Sequence, residues 1–298
     1  MQLFLNKSPS RQKYQKFLGP VNHLIITCMV GLDAIERYQV DSAPEELRTT
    51  WNPVDYRISA RRSRRLVLDM SLVKAIDCID FYIKSIRASP CLIQNAPTEN
   101  GIDNNSEKIL NKINLLVDLC ELSNNYLSAM VRVLVRWRNR AAHFSEEVKI
   151  SEEDMKILVE RREEITERFC NLNVDRIIDG IDSKNYVPTF KETLSIINAS
   201  SRFVHEIDGF LLNKLDVNEY IISIIRKENS RSDQRLLQSI WGRDLSTKKN
   251  SVVGFLKQNG FSETREDEES LGFASISEEF VEKISAMSVK EVRGWIGI

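Results

Sequence analysis

Apolar residues recur at three- and four-residue steps along most of the chain, and stretches of strict alternation are few, so the pattern predicts helices almost throughout. The strongest runs from about Ser59 to Arg87, with Leu66, Leu72, Val73, Ile76, Ile79, Ile83 and Ile86 on one core face. It should stop at Ser89-Pro90, because the residue before a proline is driven to extended backbone. An earlier apolar helix is expected over residues 20 to 39, weakened by Gly31. Past a loop from Pro90 to Ser106 rich in Asn, Pro and Gly, a helix is marked by Ile109, Ile113, Leu116, Val117 and Cys120. Asn124-Asn125 separates it from another, Tyr126 to Trp137, with Leu127, Met130, Val131, Leu134 and Trp137 in step.

Further on, Ser151 with Asp154 reads as a variant capping box that opens a charged helix to about Asn171, with Leu158, Ile165, Phe169 and Leu172 inward. A long helix follows from about Thr189 to Leu215. Residues 217–298 read as shorter helices broken by Gly242, Gly254 and Gly260, with an acidic loop from Glu263 to Glu269. The expectation is an all-α protein: a helical bundle over residues 18–216 and a smaller helical region over 217–298.

Composition narrows the chemistry. At 298 residues, 42% hydrophobic and 29% charged, the chain is long enough to bury a substantial core. A formal net charge of -1 excludes a generally basic nucleic-acid coat, so contact with RNA requires local clustering of arginine. Cys28, Cys78, Cys91, Cys120 and Cys170 stand singly without a CxxC pair, which fits reduced packing residues rather than a disulfide framework or a zinc site. No phosphate-binding glycine loop, dinucleotide fingerprint or nucleophile elbow is present, and three separated histidines do not make a metal centre. No cofactor and no metal are expected. The first residues lack a cleavable signal pattern, and the uninterrupted apolar stretches are shorter than a membrane span, so the expected location is the cytoplasm, away from membranes.

Chemistry concentrates in Arg138-Asn139-Arg140-Ala141-Ala142-His143, at the end of the Tyr126 helix. An imidazole exchanges a proton near neutral pH, and a guanidinium keeps its charge and forks onto phosphate oxygens. On a continuous helix Asn139 and His143 share a face with Arg136 and Arg140, whereas Arg138 is rotated by roughly 140° from His143. Either the helix ends inside the motif, or two copies face each other across a two-fold axis; the second is favoured and implies a homodimer. A purely structural role is the competing reading, with Arg138 a core-edge cation paired to a carboxylate and His143 resting on the last helical carbonyls.

An arginine, a polar residue and a nearby histidine closing a core helix of an all-α chain resembles the signature of the HEPN superfamily. The resemblance covers Arg138 to His143 only. It implies a helical bundle, commonly dimeric, and a metal-independent endoribonuclease of the toxin, antiphage or CRISPR-associated kind. Arg138 would then contact the scissile phosphate, His143 would act as general acid or base, and Asn139 would orient one of them. In one subgroup a tyrosine two positions after the histidine is modified by a partner nucleotidyltransferase. Phe144 and Ser145 follow here, so control by that kind of antitoxin is not supported, although another antitoxin or regulatory partner fits the resemblance.

A second basic group, Arg57, Arg61, Arg62, Arg64 and Arg65, follows Trp51 at the start of the strongest helix. Guanidinium groups beside an aromatic suit single-stranded RNA, through phosphate contacts and base stacking. With Arg136 and Arg140, the residues Arg61, Arg62, Arg64, Arg65 and Trp51 form the candidate RNA-binding set. The plain alternative is a solvated face paired with acidic neighbours. Cations at a helix start oppose its dipole, so something other than helix stability is expected to hold them there. His23 and His205 have no local partner and are expected to be structural. The runner-up to a nuclease is a non-catalytic helical module that binds RNA or a partner protein through the same arginines.

Overall fold

Ser8 starts the first helix: its Oγ accepts the Arg11 amide at 3.0 Å while Pro9 occupies the first helical position. In this computed structural model the described residues are 1–38, 40, 42–94, 108–142, 149–181, 183, 186–232, 235–265 and 271–298. Helix α1 is Pro9–Tyr38 and carries Pro20 inside it, so it begins well before the apolar stretch that marks it in sequence. Helix α2 is Tyr56–Arg87 and ends where expected. On α2, Leu72, Ile76, Ile79, Ile83 and Ile86 are buried, but Leu66 is 61% exposed and does not join that face.

The chain is all-α: thirteen α-helices and two three-residue strands among the described residues. It divides into two compact units that interleave in sequence, one of residues 1–14, 80–121 and 204–298, the other of residues 15–79 and 122–203.

In the first unit, β1 (Leu3–Leu5) pairs antiparallel with β2 (Ala274–Ile276), Leu3 opposite Ile276 and Leu5 opposite Ala274. All four of these side chains are buried. Three residues are too few for alternation to show in sequence. Helices α3 (Ile109–Leu119), α9 (Val217–Arg231), α10 (Leu236–Trp241), α11 (Leu245–Gln258), α12 (Glu278–Ala286) and α13 (Val289–Trp295) belong to this unit. Asp216, Ser277 and Ser288 cap α9, α12 and α13, the last with a full capping box to Glu291.

The unit also contains a fully buried carboxylate. Asp208, on α8 (Phe190–Lys214), accepts the Ser8 amide at 3.0 Å, the Ser8 hydroxyl, and the Tyr82 hydroxyl at 3.0 Å. Burial raises its pKa, against the pull of the Ser8 donors and of Arg11.

The second unit is organised on α4 (Tyr126–Ala142), of whose seventeen residues twelve are buried. The expected helix over 151–171 is two: α5 (Glu152–Glu160), opened by the Ser151 cap, and α6 (Arg162–Arg168), separated at Arg161, whose ψ of 13° is not helical. An eight-residue helix α7 (Val174–Ile181), not anticipated from the pattern, buries Val174, Ile177 and Ile181. Asp154 on α5 is 4% exposed and binds Arg132 of α4 at 2.6 Å. All five cysteines are free; Cys78 and Cys120 are buried as packing residues, but Cys28 and Cys170 are exposed. Helix α1 also differs from expectation in being long and apolar enough, by length and composition, to cross a membrane.

Candidate functional site

Helix α4 continues to Ala142, so the motif stays helical up to the residue before His143. His143 itself, with Phe144 and Ser145, lies outside the described residues. Arg138 is half-buried, and its Nη1 donates to Asn139 Oδ1 at 3.0 Å. Among the described residues no carboxylate pairs with Arg138, and its Nε is buried with no hydrogen-bond acceptor. Asn139 is 6% exposed, which holds its carbonyl in place beside the guanidinium. Arg136 is buried too. The fork of Arg140 is engaged by the carbonyls of Ser183 at 3.0 Å and Ile181 at 3.2 Å, where it closes the end of α7.

The same stretch of α4 abuts a cleft. Trp137, 2% exposed, has its ring 5.9 Å from that of Tyr186, and Tyr186 and Ser183 line an open cleft of about 650 Å³ with Asn173, Arg176, Asp179 and Val187. Arg176 lies 5.8 Å over the Tyr186 ring and pairs with Glu192 at 3.2 Å. Asp175, also on the lining, pairs with Arg162 at 3.1 Å. An aromatic ring with a guanidinium over it suits a stacked base, while Asp175 and Asp179 on the same lining make the cleft acidic. Burial, with the charge of Glu192, raises the Tyr186 phenol well above its ordinary value, so it is neutral at pH 7 and able to donate.

Arg176, Ser183 and Tyr186 were missed in the sequence because they carry no spacing of their own; only the return of the chain after α7 brings them to Trp137 and Arg140. The one local sign is Gly180, where an added Cβ would come within 2.2 Å of the Tyr186 ring. Gly180→Ala should therefore displace Tyr186 and cost about 1–3 kcal/mol, as overpacking does. Urea unfolding and the near-ultraviolet signal of the Trp137–Tyr186 pair would register it; an unchanged signal and midpoint would show that the ring does not seat there.

The other basic group behaves differently. Arg61 Nε meets Glu36 Oε1 at 2.6 Å, Arg64 Nη2 meets Asp33 at 2.9 Å and Glu36 at 3.3 Å, and Arg65 meets Asp69 at 3.1 Å. The hydrogen bond and charge of Glu36 raise the Arg61 pKa further. Acids of α1 thus answer the question of what holds cations at the start of α2. Arg62 is exposed, Arg57 is partly so, and Trp51 is 91% exposed on the preceding loop. His23 is exposed on α1 and His205 half-buried on α8. No family model, curated protein or solved structure matches the chain.

Proposed function

We propose that the protein is a metal-independent endoribonuclease of the HEPN type, a cytoplasmic toxin or antiphage effector that cuts RNA with Arg138 and His143. The observation that carries this reading is the half-buried Arg138 guanidinium, seated beside Asn139 with no carboxylate partner among the described residues. A guanidinium seated there keeps donors that Asn139 does not use, and these can fork onto phosphate oxygens. The neighbouring cleft, with Tyr186 and Arg176, is of a size to take a nucleotide base.

In this scheme the imidazole of His143 takes the proton of a ribose 2′-hydroxyl, whose oxygen attacks the adjacent phosphorus. The bond to the 5′-oxygen breaks, and that oxygen leaves with the proton that the His143 imidazolium gives up. Arg138 balances the charge that grows on the phosphoryl oxygens, and Asn139 fixes the guanidinium through its carbonyl. Because the donors of one α4 point around the helix rather than together, two copies would complete one site.

Purified protein incubated with labelled single-stranded RNA should yield 2′,3′-cyclic phosphate and 5′-hydroxyl ends, leave DNA intact, and keep cutting in EDTA. Intact RNA after prolonged incubation would end the proposal. A second reading, a non-catalytic RNA-binding module, rests on Trp51 and Arg62 being open to solvent. It expects salt-dependent binding without product.

A further inference from the structure

Three lysines line one cavity of the first unit. It holds about 390 Å³ and lies between the first turns of α1, the last turns of α2 and helix α9. Each helix contributes through its own period. Ser10 and Lys13 share a face of α1, Phe81, Ser85 and Ala88 follow one another on α2 with Lys84 beside them, and Tyr220 and Lys227 share a face of α9.

The lining is cationic, with no acidic side chain among its described residues. Lys13 and Lys227 join no ion pair among the described residues. Lys84 meets Asp80 at 2.5 Å, but the other oxygen of Asp80 is taken by buried Lys112 at 3.1 Å. Two ammonium groups thus share one carboxylate, and a positive charge is left over. Burial lowers the Lys227 pKa, and the charges of Arg231 and Lys13 lower it further, against the pull of Glu228, which Arg231 holds at 2.8 Å. Lys227 donates to the Ser89 carbonyl at 2.6 Å, just past the end of α2, and its other N–H groups remain for a ligand.

The neutral groups suit an anion that carries a carbon body. Ser10 Oγ and Ser85 Oγ lie 2.8 Å apart; a single proton joins them, so the second hydroxyl proton is left to donate elsewhere. Pro9 and Ser10 open α1, which puts the positive end of that helix on the same wall. Phe81 and Pro90 supply apolar surface.

We propose that this cavity binds a small organic phosphate monoester, its dianionic phosphate held by Lys13, Lys84 and Lys227 and its body laid against Phe81 and Pro90. Lysine serves phosphate as a compact point charge. The volume falls at the lower end of small-molecule sites, which run from about 300 to 1,000 Å³. The inference does not rest on the ribonuclease reading: the cavity shares no residue with Arg138 and its surroundings, and its readout is binding rather than cleavage.

Phenyl phosphate is the probe, titrated into the full chain by isothermal calorimetry at low salt. It should bind with simple saturation, inorganic phosphate should bind about tenfold more weakly because it leaves the apolar wall unused, and benzyl alcohol should not bind. Lys227→Gln should weaken phenyl phosphate binding about tenfold. Lys13→Glu alters only an exposed side chain, so it carries the test even if Lys227→Gln does not fold, and it should abolish binding. Lys16→Glu, exposed on α1 outside the lining, should bind as the wild type does. The absence of binding at millimolar phenyl phosphate, binding that survives Lys13→Glu, equal affinity for inorganic phosphate, or an equal loss in Lys16→Glu would each overturn the inference. So would a 5′-phosphorylated RNA oligomer that binds more tightly than phenyl phosphate, since the occupant would then be a strand.

Discussion

An Arg138→Ala protein is expected to keep its fold and lose RNA cleavage by about 10²- to 10³-fold, the usual consequence of removing one preorganised donor to a developing oxyanion. The fold should survive because Arg138 contributes only the Nη1 bond to Asn139 and joins no ion pair among the described residues. Arg138→Lys should recover little, since an ammonium keeps the charge but not the planar fork. His143→Ala should lose about 10²- to 10⁴-fold, the range of general acid–base catalysis. Initial cleavage rates, read beside thermal melts, separate these losses from unfolding. Full activity in Arg138→Ala would remove the guanidinium from the mechanism.

Asp208→Ala should be the most damaging single change to stability. It leaves the Ser8 amide, the Ser8 hydroxyl and the Tyr82 hydroxyl facing an empty site. Each buried group left without a partner costs about 1–3 kcal/mol, so the loss should exceed about 3 kcal/mol. Ser8 also caps α1, so its release loosens the first turn of that helix. Asp208→Asn, which keeps an acceptor, should lose less.

The two variants also differ in pH dependence. Burial raises the Asp208 pKa, so from the ordinary carboxylate pKa up through the raised one the native state holds a proton that the unfolded state has released. Over that window this group makes stability fall as pH rises. Urea midpoints across mildly acidic to neutral pH should show that fall in the wild type and a shallower one in Asp208→Asn. Equal slopes would mean that Asp208 ionises in the native state as it does in the unfolded chain.

The long helices were legible because their apolar period persists over many turns: α2 ends at Arg87 before Ser89-Pro90, and α8 occupies Phe190–Lys214 against an expected Thr189 to Leu215. The start of α1 was not, because its first turns are polar and show no apolar period; only the Ser8 cap, itself held by Asp208, shows where it begins. The division of 151–171 at Arg161 was equally hidden, since glutamates and arginines on both sides favour a helix that tertiary contacts interrupt. In the site, the chemical types at Arg138 and Asn139 could be read directly. Their environment could not: the engaged Arg140 and the Tyr186 cleft arise from segments that are distant in sequence.

The β1–β2 pairing has a temporal consequence. Residues 3–5 are synthesised well before their partners, Ala274–Ile276. At about 5–20 residues per second the earlier strand waits many seconds for its mate. The residues that carry Arg138 and Asn139 all emerge before residue 204, so the unit they belong to can assemble while the other is still incomplete on the nascent chain.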